Sequence, residues 1–256
     1  MKIFILCGGF GSRLDNEGRL KAKPMIRIGN KPILMHLIET FINQGFHDFV
    51  ICTGHKSETI TKHFLNQKKQ TIIISKEKNV LNIKYKYKNS NLNINIIYTG
   101  INVGTGGRLK IACESLKLKE DIFVTYGDGL ANVNIKNLIK FHYKKKSLMT
   151  MAAVRPKERY GVLKLNHKYN KVLQLDESKK ESNIYINGGY FIISQKIIDT
   201  IKDKKVYFEK EPLKYAIKLK KLFAFKHKGF WKSLDTLKDK NEFNIIIRSG
   251  KKPWLN

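Results

Sequence analysis

The sequence predicts a single α/β domain with a mixed, mostly parallel central sheet, and three observations support this. Apolar segments of strand length alternate with segments whose apolar residues recur at helical spacing. The chain opens in the order strand, loop, helix and strand, which is the βαβ unit of a parallel sheet. The 256 residues show neither an internal repeat nor a clear linker, and α/β chains of this size are often one domain.

The opening unit is predicted from its first strand to its second. Residues 2–7 form an apolar run that is expected to be a buried strand. Pro32 opens a helix at a position where its missing N–H costs nothing, and the apolar residues of 33–42 recur at helical spacing. Gly45 is placed to end this helix, and residues 49–52 are the next strand.

The rest of the chain continues the alternation. Further helices are predicted over residues 57–65, 105–115 and 208–219. Further core strands are predicted over residues 93–99, 121–126, 148–154, 187–193 and 222–226, the last of the chain. Residues 160–165 and 172–176 are predicted to pair within a small inserted β subregion, 155–186. Residues 66–92 are rich in lysine and asparagine, and the alternation of Ile83, Tyr85 and Tyr87 with lysines favours a β-arm there.

The charge balance raises an alternative function. The net charge is +29, with 50 lysines and arginines against 21 aspartates and glutamates, and such an excess can mark a nucleic-acid-binding protein. The excess is mostly lysine distributed over the whole chain, and no zinc-finger spacing or RNP-like aromatic cluster accompanies it. We therefore expect no nucleic-acid partner, and we expect the charge to steer anionic substrates toward the protein.

Other bulk features concern the compartment. No apolar run of about 18 residues occurs, so no membrane insertion is expected. The chain begins directly with a strand and lacks the pattern of a secretory signal. Cys7, Cys52 and Cys113 are scattered and odd in number, which argues against a disulfide framework. These features predict a cytoplasmic protein.

A glycine-rich stretch follows the first strand. Residues 8–13 read Gly-Gly-Phe-Gly-Ser-Arg, and Lys23-Pro24-Met25 follows further on. Glycines let the backbone approach a ligand closely, and successive N–H groups in such a loop form an anion-binding concavity. Arg13 and Lys23 would add positive charge. The stretch therefore predicts a polyphosphate site, although it matches neither the dinucleotide fingerprint nor the P-loop.

Two further stretches lie where strands or loops meet ligands. The strand over 121–126 ends in Gly127-Asp128-Gly129, and an acid at the carboxyl end of a parallel strand faces the ligand-binding crevice of an α/β sheet. Mg²⁺ prefers one or two carboxylates together with phosphate oxygens and water, so Asp128 is a candidate metal ligand. The loop before the helix over 105–115 is expected to present free N–H groups at a positive dipole end.

Together these motifs resemble the signature of sugar-1-phosphate nucleotidyltransferases, a family of Rossmann-like fold. The segments at 105–110, 187–189, 229–236 and 249–254 narrow the resemblance to the glucose-1-phosphate cytidylyltransferase branch. The resemblance implies Mg²⁺-dependent transfer of a cytidylyl group from CTP to a sugar 1-phosphate, with glucose 1-phosphate as the first candidate. The products would be pyrophosphate and a CDP-sugar for deoxysugars of surface polysaccharides. The family also implies a homo-oligomer.

The resemblance assigns roles to individual residues. It implies catalytic roles for two cations and two acids, with the acids holding Mg²⁺: Arg13, Lys23, Asp128 and Asp235. The residues implied to contact the nucleotide are Leu6, Gly8, Gly9, Phe10, Gly11, Ser12, Arg13, Lys23, Thr105, Gly106 and Arg108. The residues implied to contact the acceptor are Tyr126, Gly161, Glu177, Lys179, Asn187 and Gly188. All of these are expected to gather around one triphosphate.

The acceptor side departs from the family pattern. Family members usually carry Glu-Lys-Pro before the Asn-Gly-Gly strand, whereas this chain has Glu177-Ser178-Lys179. Lys179 or Lys180 would then have to reach the acceptor phosphate. Another phosphorylated acceptor therefore stays open. Three further alternatives are another nucleoside triphosphate, a basic nucleic-acid-binding protein and a catalytically inactive sensor of nucleotide-sugars.

Overall fold

The computed structural model of the chain describes residues 1–9, 20–156, 162–166, 171–176 and 184–255, with the backbone alone for 162–166 and 171–176. Within these residues the predicted single α/β domain with a mixed sheet is confirmed. The described strands are β1 (Ile3–Cys7), β2 (Arg27–Ile28), β3 (Lys31–Pro32), β4 (Asp48–Thr53), β5 (Thr71–Glu77), β6 (Val80–Tyr87), β7 (Ser90–Tyr98), β8 (Ile122–Tyr126), β9 (Gly129–Ala131), β10 (Met149–Val154), β11 (Val162–Asn166), β12 (Lys171–Asp176), β13 (Ile186–Ile193), β14 (Leu222–His227) and β15 (Trp231–Ser233).

The helices alternate with these strands along the chain. The described α-helices are α1 (Ile33–Ile42), α2 (Ser57–Leu65), α3 (Thr105–Ser115), α4 (Ile135–Lys144), α5 (Gln195–Asp199), α6 (Glu211–Lys218) and α7 (Leu237–Arg248). A short 3₁₀ helix also occupies Lys23–Met25. The helices predicted over 57–65 and 105–115 begin and end at the expected residues. Among the described residues, no helix combines the length and apolar content that crossing a membrane requires.

Nine strands form one large sheet in the order β14-β10-β13-β8-β1-β4-β7-β6-β5. The central strands β8, β1, β4 and β7 are parallel to one another, which confirms the predicted βαβ opening. Both sides of this centre continue with antiparallel pairings, and β14 joins β10 in parallel. The carboxyl ends of the four central strands therefore lie along one edge, the place where α/β sheets bind ligands.

The central strands are buried on both faces. Along β1, Ile3, Ile5 and Cys7 belong to one hydrophobic cluster, and Phe4 and Leu6 belong to another. Successive side chains of a strand point to opposite faces, so the two clusters are the cores on either side of the sheet. Buried residues of α1, α2, α4 and α7 complete the first core, and those of α3, α5 and α6 complete the second.

The segment over 66–92 supplies two strands to the end of the large sheet. Ile83 and Tyr85 of β6 are buried, and the lysines that alternate with them, Lys84 and Lys86, are exposed. β5 is the terminal strand of the sheet, and three consecutive isoleucines on it, Ile72, Ile73 and Ile74, are 54–64% exposed. An exposed apolar edge strand is a template for pairing with another chain.

Several elements after β8 differ from the prediction. α4, α5 and α7 were not predicted. The last strand was expected at 222–226, whereas β15 follows and pairs with β9. A helix was expected to begin at residue 208, whereas α6 begins at Glu211. Pro212 is the signal that was available, because proline lacks the N–H that a position beyond the first helical turn must donate.

Candidate active site

A cavity of about 500 Å³ opens at the carboxyl edge of the central strands. Its walls include the residues that follow β1, the 3₁₀ helix at Lys23, the loop before α3, the end of β8 and the segment before α6. The predicted site residues that line it are Leu6, Gly8, Gly9, Lys23, Thr105, Arg108, Tyr126 and Asp128. The sheet topology therefore gathers distant parts of the sequence at the place expected for a ligand.

Lys23 contacts two carboxylates beside this cavity. Its Nζ atom lies 2.6 Å from Oδ2 of Asp128 and 2.8 Å from Oδ1 of Asp235. The backbone next to Lys23 is also anchored, because the N–H of Ala22 donates to Oγ1 of Thr59 on α2 at 3.1 Å. Three of the four residues predicted to be catalytic thus meet at one point.

Asp235 reaches Asp128 through a short strand pair that the sequence analysis missed. β15 runs antiparallel to β9, with Ser233 opposite Gly129. Directly beyond this pair, the N–H of Leu234 donates to the backbone oxygen of Asp128 at 2.8 Å. The Ser233 hydroxyl then donates to Oδ2 of Asp235 at 2.5 Å. The two acids are therefore neighbours because their backbones are hydrogen-bonded, although their positions in the chain are far apart.

Asp239 fixes the same loop from the start of α7. Its Oδ2 atom accepts the backbone N–H groups of Asp235 at 3.1 Å and Thr236 at 2.9 Å. Thr236 in turn accepts the N–H of Asp239, so the two residues form a capping box. The other carboxylate oxygen of Asp239 accepts from Nζ of Lys232 at 3.1 Å. The helix start therefore sets the position from which Asp235 projects.

The environment keeps Lys23 and Asp235 charged. Burial alone would lower the pKa of Lys23, but the nearby charge of Asp128 and the hydrogen bonds to both acids outweigh it, and the pKa is raised. Burial alone would raise the pKa of Asp235, but hydrogen bonds from Lys23 and Ser233 outweigh it, and the pKa is lowered. One cation therefore lies between carboxylates that would otherwise repel each other.

The pair of acids fits a magnesium ion that also binds phosphate. Asp128 and Asp235 direct one oxygen each to the same ammonium group, so their carboxylates converge on a point where a cation is stable. Among the described residues, no group of three or more His, Cys, Asp or Glu side chains could hold a metal ion. A metal at this point would need its remaining ligands from phosphate oxygens and water, which is the coordination that Mg²⁺ prefers.

The helix start at α3 is covered by the backbone of residues 204–208. The N–H of Gly104 donates to the oxygen of Lys204 at 2.8 Å, and the N–H of Gly107 donates to the oxygen of Val206 at 3.1 Å. A Cβ atom on Gly107 would lie 2.0 Å from the Lys204 oxygen, so a side chain there would prevent this approach. The N–H groups of Gly104 and Gly107 are therefore not free, in contrast to the free N–H groups expected at this helix start.

Gly106 packs against the same segment, and Arg108 contacts the ends of the central strands. A Cβ atom on Gly106 would lie 2.9 Å from the oxygen of Val206. The buried guanidinium of Arg108 donates to five oxygens of the protein, at 2.7–3.1 Å: those of Thr53, Gly100, Ile101 and Gly8 on the backbone and Oγ1 of Thr99. Both residues were predicted to contact the nucleotide. In the structure, Arg108 lines the cavity and ties together the ends of β1, β4 and β7.

The acceptor-side prediction centres on Tyr126 and the start of β13. Gly188 is held by the indole of Trp231, whose Nε1–H donates to the Gly188 oxygen at 2.7 Å. Asn187 accepts the N–H of Gly189 at 2.8 Å and is also a hydrogen-bond partner of Tyr126. Burial, followed by the charge of Glu209, raises the pKa of Tyr126, so its phenol keeps its proton.

Other predicted residues lie outside the described residues, namely Phe10, Gly11, Ser12, Arg13, Gly161, Glu177 and Lys179. Sequence reasoning missed the supporting residues Trp231, Asp239 and Glu209. Trp231 and Asp239 flank Asp235 in the sequence, so their nearness to a predicted site residue could have indicated that they support it. Glu209 lies in a charged run that was predicted to be helical, and nothing in the sequence distinguishes it from its charged neighbours.

Comparisons with known proteins show the family and the fold of the chain. The family model described as Nucleotidyl transferase matches residues 2–245. The chain is 36% identical over 256 residues to the glucose-1-phosphate cytidylyltransferase of Salmonella typhimurium, covering 99% of this chain and 98% of that one. It is 28% identical over 247 residues to the mannose-1-phosphate guanyltransferase of Saccharomyces cerevisiae, covering 93% and 62%. The solved structure of HddC from Yersinia pseudotuberculosis matches with a TM-score of 0.70 at 24% identity, covering 96% and 99%, which shows the fold.

Asp239→Asn tests how the start of α7 supports the site. Burial would raise the pKa of Asp239, but hydrogen bonds from Thr236 and Lys232 outweigh it and lower the pKa. The stabilisation by its charge is therefore complete above about pH 4 and is lost as the pH falls through the lowered pKa. We expect the variant to lose about 1–3 kcal/mol of unfolding free energy at neutral pH, measured by urea denaturation, and to lose less in acid.

Glu242→Gln is the matched control. Glu242 also contacts Lys232, at 2.6 Å, but its side chain is 43% exposed, so its removal should change the unfolding free energy by less than about 1 kcal/mol. A difference between wild type and Asp239→Asn that stays constant from neutral pH to about pH 3 would contradict the argument.

Proposed function

The chain belongs to the nucleotidyl transferase family as a sugar-1-phosphate nucleotidyltransferase, and from this premise we propose that it transfers a cytidylyl group from CTP to a sugar 1-phosphate. The observation that carries the proposal is the meeting of Lys23, Asp128 and Asp235 at the cavity. The choice of CTP is supported by the higher identity to the cytidylyltransferase, 36% against 28% for the guanyltransferase. Glucose 1-phosphate is the first candidate acceptor.

The reaction is an in-line displacement at phosphorus. An oxygen of the sugar phosphate forms a bond to the α-phosphorus of CTP while the bond from that phosphorus to the bridging oxygen breaks, so pyrophosphate leaves. The attacking phosphate is already ionised near neutral pH, and no general base is needed. Catalysis then rests on positioning and charge neutralisation, and the cavity supplies both.

Lys23 and the two acids divide the electrostatic work. Asp128 and Asp235 would hold Mg²⁺, which when bound neutralises phosphate charge and orients the phosphate oxygens. With a divalent cation on the acids, the ammonium group of Lys23 is free to donate to phosphate oxygens instead of to the carboxylates. There it would stabilise the charge that develops in the transition state. Arg13 would bind the leaving pyrophosphate through its planar fork.

The experiment that tests the function is a substrate screen. The protein is incubated with Mg²⁺, a panel of sugar 1-phosphates and one nucleoside triphosphate, which is CTP, UTP, dTTP or GTP. Pyrophosphate release is measured, and the product is identified by its mass. We expect CTP to give the fastest release and a CDP-sugar as product, the activated form from which deoxysugars of surface polysaccharides are made. A faster reaction with another triphosphate would replace CTP in the proposal, and release with none would overturn it.

Lys23→Ala and Asp128→Asn test the catalytic assignment. Each removes one preorganised electrostatic group, so turnover should fall by at least about two orders of magnitude, with unchanged circular dichroism. Lys238→Ala is the control, because Lys238 is an exposed cation on α7 that is close in sequence to Asp235. Near-normal turnover in either site variant, or an equal loss in the control, would refute the roles of Lys23 and Asp128.

We also propose that the protein acts as a homo-oligomer that associates through β5. The strand ends the sheet and exposes Ile72, Ile73 and Ile74. If two copies pair antiparallel with Ile73 on the two-fold axis, Ile72 of one copy lies opposite Ile74 of the other. The same register places Thr71 of one copy opposite Ser75 of the other, and both residues lie within β5.

Size-exclusion chromatography with light scattering measures this association as the molar mass of the eluted protein. We expect a mass of at least two chains for the wild type and a single chain for Ile73→Lys, because a cation on the axis would face its own copy. Ile245→Lys, at a 64% exposed isoleucine of α7, should keep the wild-type mass. A monomeric wild type would end the proposal.

A further inference from the structure

Glu209 connects the two walls of the cavity. Its Oε2 atom accepts the hydroxyl proton of Thr105, and its Oε1 atom accepts the hydroxyl proton of Tyr126. Thr105 opens α3 on the side predicted to meet the nucleotide, and Tyr126 ends β8 on the side predicted to meet the acceptor. Both residues line the cavity.

The backbone around Glu209 holds its carboxylate in place. Residues 204–206 are hydrogen-bonded to the start of α3 through Gly104 and Gly107. The N–H of Phe208 donates to Oγ1 of Thr105 at 3.2 Å. The ring of Phe208 is buried and packs edge-on against Phe191, with centroids 4.9 Å apart. Glu209 therefore projects from a segment with little freedom to move.

These hydrogen bonds fix the polarity of both hydroxyl groups. A carboxylate can only accept, so Thr105 and Tyr126 must each donate their single hydroxyl proton to Glu209. The Thr105 oxygen has two lone pairs, and the N–H of Phe208 uses one of them. What Thr105 can offer a ligand in the cavity is therefore a lone pair, and the ligand group that meets it must be a donor.

We propose that Glu209 is a positioning residue that makes Thr105 select an amino group on the nucleobase. The inference rests on the proposed use of a nucleoside triphosphate. Cytosine carries a 4-amino donor, whereas uracil and thymine carry an oxygen acceptor at the same position. An acceptor placed opposite the lone pair of Thr105 would leave both unpaired, and a site built on hydrogen bonds rejects such a ligand strongly.

Glu209→Gln tests this polarity because it keeps the size of the side chain. The amide of glutamine can donate to one hydroxyl oxygen, which frees that hydroxyl proton to point into the cavity. We expect the ratio of kcat/KM for CTP over UTP to fall at least about tenfold, with the KM for CTP rising more than kcat falls. Glu211→Gln is the matched control, since Glu211 is exposed at the start of α6, and it should keep the wild-type ratio.

Thr105 variants keep the proposal testable if Glu209→Gln folds poorly. Thr105→Val removes the hydroxyl at nearly constant volume and should lower the CTP over UTP ratio to a similar extent. Thr105→Ser, which restores the hydroxyl, should recover most of it. A ratio that stays at the wild-type value in folded Glu209→Gln or folded Thr105→Val would overturn the proposal.

Binding without turnover separates this proposal from the proposed reaction. Titration calorimetry of the protein with CTP and with UTP gives the ratio of the two dissociation constants without any acceptor. If no triphosphate releases pyrophosphate, the reaction is wrong, but a CTP preference in binding that is lost in Glu209→Gln still supports the role of Glu209. Equal binding of CTP and UTP to the wild type would refute that role even in an active enzyme.

Discussion

The site depends on the contact between one ammonium group and two carboxylates. Asp128 and Asp235 belong to loops far apart in the chain. Their carboxylates contact the same ammonium group, and they would repel each other if no cation lay between them. Lys23 is that cation in the structure. The arrangement explains why so much of the surrounding fold is devoted to backbone placement. The β9–β15 pair aligns the two loops, and the capping box of α7 fixes the direction of Asp235.

A second constraint shapes the opposite wall. Parallel strands that end at one edge leave backbone oxygens there, and each of these needs a donor if it is buried. The guanidinium of Arg108 satisfies four such oxygens at once, and it also donates to the hydroxyl oxygen of Thr99. The glycines before it let the segment over 204–208 close on α3. The motif that reads Gly-Gly-Arg is therefore explained by the packing of the protein on itself, and the cavity is the space that this packing leaves.

The sequence was sufficient where the signals are local. The continuous apolar run at residues 2–7 predicted β1 within a residue, and the helical spacing of apolar residues predicted α1. The acids at strand ends were located because glycine and apolar runs isolate them. The β9–β15 pair could not be predicted, since three-residue strands carry no periodicity and pair across the chain. The capping box from Thr236 to Asp239 was a readable helix start that the analysis overlooked. The hydrogen bonds of Arg108 to the strand ends could not be predicted, because the sequence gives no indication of the carbonyls that surround its side chain.

Catalysis and nucleotide choice must come from different parts of this cavity. All nucleoside triphosphates carry the same phosphates, so a cluster of charges such as Lys23 with its two acids acts on each of them alike. Charge attraction is also weakly directional and cannot distinguish an amino group from a carbonyl oxygen. A hydroxyl group that donates its proton to a carboxylate can make this distinction, because it offers a lone pair in one fixed direction. Glu209 accepts the hydroxyl protons of both Thr105 and Tyr126. Selectivity in this fold then depends on a residue that need not touch the nucleotide.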